Sequence, residues 1–302
     1  SSLKMANKII FMGTPIFCVP ILKSLYQNGY NISVVFTQPP QKSHRGQKIN
    51  KSPIQGISET LNIDYRTPKT LKDNHEEYEF LKELNADLAI VCAYGQIIPE
   101  NFLNLTKKGF VNIHASILPS WRGAAPIQRS IMNLDPETGI SIMKIKKELD
   151  SGPVSNIYKI KIDQNQNAQE ISEKLSALAA EKILDNVDDI LEDKAKFIDQ
   201  DHSKATYAKK IDKEESRIDW DEDASKIIGK INGLFPSPGA SFSFNGERYK
   251  ILKAEIGNGI GQVGEIISNQ LEVACNKNQS IKILEIQRQG KRPQKISEFM
   301  LG

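Results

Sequence analysis

Short runs of almost uniformly apolar residues recur through the first half of the chain, each followed by a stretch with helical spacing. Lys8–Met12, Ile32–Thr37, Leu88–Ala93 and Phe110–His114 are such runs. They lack the in-out alternation of a half-exposed strand, so both faces should be buried, as in a parallel sheet covered by helices on each side. Ile16–Gln27, Pro53–Leu61 and Glu76–Leu84 supply the helices. The first is expected to start on Thr14 as N-cap, with Pro15 in the first helical position, where a missing N–H does no harm.

Gly139–Lys146 and Val154–Ile162 read as two further strands, and Ala168–Leu191 as a long helix. The pattern then changes. Glu192–Glu215 is highly charged, with few large apolar residues, which suggests a linker. Beyond it a helix at Ala224–Leu234 leads into short runs at Ala240–Phe244, Tyr249–Glu255, Gly264–Ser268, Gln270–Cys275 and Ile281–Gln287, separated by Asn-Gly, Gly-Asn and Asn-Gln turns. Short strands so spaced predict a small antiparallel barrel. The expected fold is α/β: an open, Rossmann-like, mostly parallel sheet over 5–192, a linker over 193–211, and a smaller antiparallel β-barrel domain, OB-like, over 212–302.

Composition adds exclusions. The 302 residues are 39% hydrophobic and 25% charged, with a formal charge of +3. That is an ordinary soluble chain of about two domains, too weakly charged overall to mark a nucleic-acid binder. Cys18, Cys92 and Cys275 are odd in number and far apart, and His44, His75, His114 and His202 are scattered. Neither a disulfide framework nor a metal knuckle is expected. Cys92, inside an apolar run, reads as a small buried hydrophobe. No run nears the roughly 20 apolar residues of a membrane helix, and Lys8–Met12 is too short for a signal peptide. Ser1–Lys4 precede Met5 and are set aside. The expectation is a cytoplasmic monomer, not associated with a membrane and without a metal.

Candidate chemistry gathers where the fourth run ends. Side chains two apart share one face of a strand, so Asn112 and His114 project together. They do so at the carboxyl end of a predicted parallel strand, where open α/β sheets bind ligands. An amide can donate to a developing oxyanion and an imidazole can move protons near neutral pH, a pairing suited to acyl transfer. Asp150, in the turn Leu149-Asp150-Ser151-Gly152, could orient the histidine or accept a proton through water. Taken alone, the pair fits a structural role as well, and Asp150 a turn former.

Charge is also unevenly placed. Gln38–Ser52 holds Lys42, Arg45, Lys48 and Lys51 and no acid. A basic, glycine-containing loop near the active end of a sheet could clamp phosphates, or be a solvated surface loop. From Ala224 to Gly302 there are eleven Lys or Arg against six acids, so the small barrel is a plausible contact for a nucleic-acid backbone. Lys209 and Lys210, at the end of the linker, could bridge the domains along a bound RNA.

Asn112-Ile113-His114-Ala115-Ser116-Ile117-Leu118-Pro119 and Trp121-Arg122-Gly123-Ala124-Ala125-Pro126-Ile127-Gln128 together resemble the signature of the folate-dependent formyltransferases. The second stretch resembles the branch acting on methionyl-tRNA. Phe11–Pro15, Phe36–Pro39, Ala93-Tyr94-Gly95, Leu149–Gly152 and Arg217-Ile218-Asp219-Trp220 follow in the order and spacing of that branch, so the likeness runs from Met5 to the C-terminal domain. The resemblance implies transfer of a formyl group from 10-formyltetrahydrofolate to the amine of initiator methionyl-tRNA, with Asn112, His114 and Asp150 catalytic. It places the folate along Ser116, Ile117, Leu118 and Pro119, with Val91, Tyr94, Gly95 and Ile97 lining the pterin pocket. Ile117 departs from the Ser-Leu-Leu-Pro common in the family, a volume-conserving change. The basic loop corresponds to one that enters tRNA, with Arg45-Gly46 as its core.

Rival readings are narrower. Gly13-Thr14-Pro15 lacks the Gly-x-Gly-x-x-Gly spacing of a dinucleotide-binding oxidoreductase. A non-catalytic RNA-binding module would not need Asn112, His114 and Asp150. A formyltransferase acting on a sugar nucleotide or on glycinamide ribonucleotide remains the alternative, disfavoured by Trp121–Gln128, the basic loop and the second domain.

Overall fold

Four parallel strands carry the middle of the first sheet. Ile9, Ile10, Phe11 and Met12 are wholly buried, as are Leu88, Ala89 and Ile90, which accounts for the unbroken apolar runs. The computed structural model describes residues 2–43 and 48–301. Strand order is Val154–Lys161, Glu137–Lys144, Phe110–His114, Leu88–Cys92, Lys8–Gly13, Asn31–Phe36, Tyr65–Arg66. Pairing is parallel from Phe110–His114 to Tyr65–Arg66, with Met12 opposite both Phe36 and Val91, and Val91 opposite Asn112. Glu137–Lys144 runs antiparallel to Phe110–His114, with His114 opposite Ser141. The carboxyl ends of four strands therefore share one edge.

Contacts divide the chain into two units. The first holds the described residues of Ser1–Arg122 with Gly139–Lys159 and Glu173–Thr206. On one sheet face Ile10, Met12, Val34, Phe36 and Ala89 pack with Leu81 of the helix His75–Leu84. Two helices start on side-chain caps, Ser52 for Pro53–Leu61 and Asn74 for His75–Leu84, and both stop on an asparagine in left-handed backbone, Asn62 and Asn85. Asparagine tolerates that conformation and so ends a helix where glycine is absent. The helix Ala168–Leu191 is fastened where Ser24 Oγ donates to the Ala180 carbonyl and Ser176 Oγ to that of Phe17.

Two expectations need correction. Thr14 does not cap a helix: a 3-10 turn at Ile16–Cys18 follows Pro15, and the α-helix is Val19–Gln27. Its hydroxyl instead donates to the Tyr94 carbonyl (2.7 Å) and accepts from the Gln38 N–H (3.2 Å). Thr14 leaves the strand flanked by the two that lead to Gln38 and Tyr94, so unpaired backbone groups of both neighbours are its partners. The charged segment expected as a linker is, as far as Thr206, bonded into the first unit. Val154 and Ile198 exchange both backbone hydrogen bonds, and Gln200 is buried. Its charged side chains face solvent while the backbone pairs, which is why composition alone misleads here.

The second unit comprises Gly123–Thr138, Ile160–Ser172 and the described residues from Tyr207. Its sheet is antiparallel, in the order Ala240–Phe244, Glu247–Ile256, Ser280–Arg288, Glu272–Ala274, Ile266–Ser268, with Gln294–Lys295 beside Ser280–Arg288. Asn245-Gly246, both at positive φ, makes the two-residue turn of the first hairpin. Ile227 and Ile231 of the helix Ala224–Gly233 pack with Ile251, Val273, Ile281 and Ile283 of the sheet. Trp220 closes this core edge-on to Phe242 (5.8 Å), an anchoring role. Among the described residues no helix is long and apolar enough to cross a membrane.

Gly139 brings two strands closer than a side chain permits, since a Cβ there would lie 2.1 Å from the Tyr158 carbonyl oxygen. Gly139→Ala is expected to cost about 1–3 kcal/mol through overpacking, read as a lower Tm in thermal unfolding. An unchanged Tm would show that the edge strand shifts freely.

Candidate active site

Phe110–His114 alternates within a covered strand: Val111 and Ile113 are buried in the core, while Asn112 is half-buried on the other face. Asn112 makes no side-chain hydrogen bond among the described residues, so its amide is available to a ligand. His114 is 6% exposed and its Nε2 lies 2.8 Å from the Trp121 carbonyl oxygen. A carbonyl can only accept, so Nε2 carries the proton in this contact. That leaves Nδ1 as the nitrogen that gains or loses a proton. It faces Asp150, with Oδ2 at 3.7 Å, longer than a hydrogen bond but close enough for the carboxylate to attract a charged ring. The three residues proposed from sequence as catalytic thus bring a free amide, a tethered imidazole and a carboxylate to the carboxyl end of the sheet.

The turn that presents Asp150 is held from outside. Asp150 has φ +48°, a left-handed conformation that aspartate adopts more readily than most non-glycine residues. Two residues on, a Cβ at Gly152 would sit 1.8 Å from the Lys144 carbonyl oxygen. Gln200 Nε2 donates to the carbonyls of Asp150 (2.9 Å) and Gly152 (2.7 Å). Gln200 Oε1 accepts from Arg122 Nε (3.2 Å) and Nη2 (3.0 Å), and Nη2 also donates to His202 Nδ1 (2.8 Å). Sequence reasoning gave no role to Arg122, Gln200 or His202. Arg122 stood inside a quoted motif, but only the structure shows that it is 4% exposed.

The residues assigned to the folate separate by exposure. The loop after His114 is tied internally: Ser116 Oγ donates to the Ser120 carbonyl (2.6 Å), and Ser141 Oγ donates to the Ser116 carbonyl and accepts from the Leu118 N–H. Ser116 and Leu118 are buried, which makes them supports of the loop, while Ile117 and Pro119 are half-exposed. Val91 on the neighbouring strand and Tyr94 just past its end are core residues, and burial pushes the Tyr94 phenol well above its ordinary pKa. The Tyr94 ring is therefore not offered to a ligand. Ala93 and Gly95 turn the chain at positive φ, and Ile97 is 90% exposed.

The basic loop leaves the same sheet edge. Gln41–Lys42 and Ile49–Asn50 form a short antiparallel ladder, and Thr37 and Ser52 hydroxyls join its base at 2.7 Å. Lys42 and Lys48 are exposed, whereas Lys51 pairs with Glu59 at 3.0 Å. Arg45 lies outside the described residues. In the second unit Lys209 and Lys210 are exposed, and their carbonyls are gripped by the Arg129 guanidinium, which also pairs with both carboxylate oxygens of Glu215. Their side chains point outward because their backbone is anchored.

Comparison with known proteins fits this arrangement. A family model described as formyl transferase matches residues 7–187, and one described as formyl transferase, C-terminal domain, matches residues 210–302. The methionyl-tRNA formyltransferase of Pelagibacter ubique is 66% identical over 298 residues, covering 99% of this chain and 96% of that protein. That of Agrobacterium fabrum is 39% identical over 303 residues, covering 99% and 97%. Among solved structures, an N-formyltransferase from Helicobacter canadensis in complex with folinic acid and dTDP-3-aminofucose superposes with a TM-score of 0.70 at 18% identity, covering 93% of this chain and 99% of that one. At that identity the likeness extends to the fold alone.

The Arg129 contact holds the Glu215 carboxyl down to about 2 from an ordinary 4.5, chiefly through their hydrogen bonds. A depressed carboxylate stabilises the fold above its unfolded pKa and loses that contribution as pH falls through the folded value. Arg129→Met is thus expected to lower stability at neutral pH and to flatten its decline between pH 4.5 and 2, read by denaturant titration across that range. An unaltered pH profile would contradict the assignment.

Proposed function

This chain belongs to the formyl transferase family, in its methionyl-tRNA branch, and we infer that it formylates the amino group of methionyl-tRNA. We propose that the donor is 10-formyltetrahydrofolate and the acceptor the initiator tRNA, in the cytoplasm. The observation that carries the chemistry is the tethered His114 beside the free Asn112 amide and the Asp150 carboxylate.

The donor supplies one carbon at the oxidation level of formate. Two segments suit it. Residues 93–97 and 115–119 leave the carboxyl ends of adjacent parallel strands, and Ile97, Ile117 and Pro119 present apolar surface. Asn112 donates from its amide to the formyl oxygen as negative charge develops there. His114, charged through Nδ1, reinforces that donation, and its Nε2–H stays on the Trp121 carbonyl throughout. Asp150 stabilises the imidazolium and takes up the proton released by the attacking amine, which is then returned to N10 of the folate as the C–N10 bond breaks and tetrahydrofolate leaves. Because the tether immobilises the ring, no reorganisation is needed at the moment of transfer.

In this reading the first unit, which takes in the backbone as far as Thr206, is catalytic, and 212–302 is a tRNA-binding domain. Lys42, Arg45, Lys48 and Lys51 meet the acceptor stem, and Lys209 and Lys210 its backbone. Lys51 contributes least, since Glu59 already neutralises it. A sugar nucleotide as acceptor would leave both the basic loop and the basic C-terminal sheet without a task.

Purified protein with 10-formyltetrahydrofolate and methionyl initiator tRNA is expected to yield formylmethionyl-tRNA, with Asn112→Ala lowering kcat by about 10²–10³. Formylation of an amino-sugar nucleotide but not of methionyl-tRNA would overturn the assignment. Joint Lys42→Ala, Arg45→Ala and Lys48→Ala changes should raise KM for tRNA and leave KM for the folate unchanged. They should also reduce the salt slope by about one for each phosphate no longer neutralised. An unchanged slope would place the tRNA elsewhere.

A further inference from the structure

We propose that Arg122 and Gln200 are positioning residues for formyl transfer: a buried guanidinium–amide relay that holds the Asp150 turn against His114. The inference rests on the reading of Asp150 as the carboxylate serving His114.

Arg122 is 4% exposed, yet no carboxylate lies within ion-pairing distance of it among the described residues. A buried cation without an anion is costly, and an apolar residue would fill the space at less expense. What the guanidinium uniquely provides is a rigid set of donors. Both Nε and Nη2 point at Gln200 Oε1. Since arginine can only donate, the Gln200 amide can be seated one way round, with Oε1 toward Arg122 and Nε2 toward the turn. Nε2 then reaches the carbonyls of Asp150 and Gly152 together. These carbonyls bracket the left-handed Asp150 peptide, and within the turn Ser151 adds its own bonds to the Glu148 carbonyl. His202 completes the set: its Nδ1 accepts from Arg122 Nη2.

The same short segment governs the other side of the imidazole. Thr206 Oγ1 accepts from the Trp121 N–H (2.9 Å), and the Thr206 carbonyl accepts from the Arg122 N–H (2.9 Å). Trp121, itself at φ +57°, carries the carbonyl that receives His114 Nε2. Residues 200–206 therefore fix both the acceptor at Nε2 and the carboxylate facing Nδ1. At a separation of 3.7 Å, a small rotation of the turn decides whether Asp150 meets the ring. A misplacement of about 1 Å can cost roughly a hundredfold in rate.

A double-mutant cycle tests the relay. Gln200→Leu removes both donors, and the isosteric Gln200→Glu keeps the acceptor for Arg122 but sets a carboxylate oxygen against two carbonyls. Each should lower kcat about 10- to 100-fold, with KM for folate and tRNA within about threefold of the parent. In an Asp150→Asn background the same changes should cost less than about threefold, because coupled residues are not additive. Arg122→Lys, which keeps the charge but not the fork, should behave like Gln200→Leu. Equal losses in both backgrounds, or a parallel loss of folate affinity, would mark ordinary packing and overturn the proposal. A substrate-free readout separates this from the function: the His114 Nδ1 resonance should move in Gln200→Glu, and an unmoved resonance overturns the relay. A parent protein that does not formylate methionyl-tRNA would count against the function instead.

Discussion

His114 donates from Nε2 to the Trp121 carbonyl across 2.8 Å, and that contact decides which nitrogen of the ring is left for chemistry. Much of the first unit serves it. The imidazole must leave a strand that cannot move, and Phe110–His114 is paired on both sides, parallel to Leu88–Cys92 and antiparallel to Glu137–Lys144. The chain must then turn back so that a backbone oxygen meets the ring. It does so through a loop tied by Ser116 and Ser141, ending at a tryptophan in left-handed backbone. Such a conformation costs on the order of 1–3 kcal/mol and persists only under external constraint, which Thr206 supplies.

A tethered ring has a chemical consequence. A free histidine offers a reacting group either nitrogen and several orientations. With Nε2 committed, only Nδ1 can exchange a proton, and it faces a carboxylate 11% exposed on its side chain. Low exposure strengthens the pull of Asp150 on an imidazolium, since fewer waters screen it. Asn112, on the same strand two residues earlier, adds a neutral donor without competing for that proton. The division of labour follows from strand geometry: residues i and i+2 share a face, and the next turn brings the acid.

Much of this was legible in the residues. Unbroken apolar runs gave the parallel sheet because burial on both faces removes alternation, and Asn245-Gly246 gave its hairpin because positive φ is confined to few residue types. The pair Asn112 and His114 could be read from spacing. What could not be read was long-range. Thr14 looked like a cap because sequence shows only the local helix, not the neighbouring strand ends that take its hydroxyl. Residues 193–206 looked like a linker because their side chains are charged, although their backbone pairs with Val154 and Gln200 is buried. A buried arginine has no sequence signature: Arg122 and the exposed Lys209 are the same in charge and opposite in role. Tyr94 was expected at a ligand, but its ring faces the core because the turn at Ala93 reverses the strand's alternation.

The most direct test is the protonation pattern of His114, read by long-range nitrogen–proton correlation on protein labelled with ¹⁵N-histidine, at a pH where the ring is neutral. The ring should be the tautomer with hydrogen on Nε2. Assignment to His114 comes from the signals that disappear in His114→Ala. Hydrogen on Nδ1 in the neutral ring would mean that Trp121 does not hold the imidazole, and would contradict the central claim that this tether sets the chemistry.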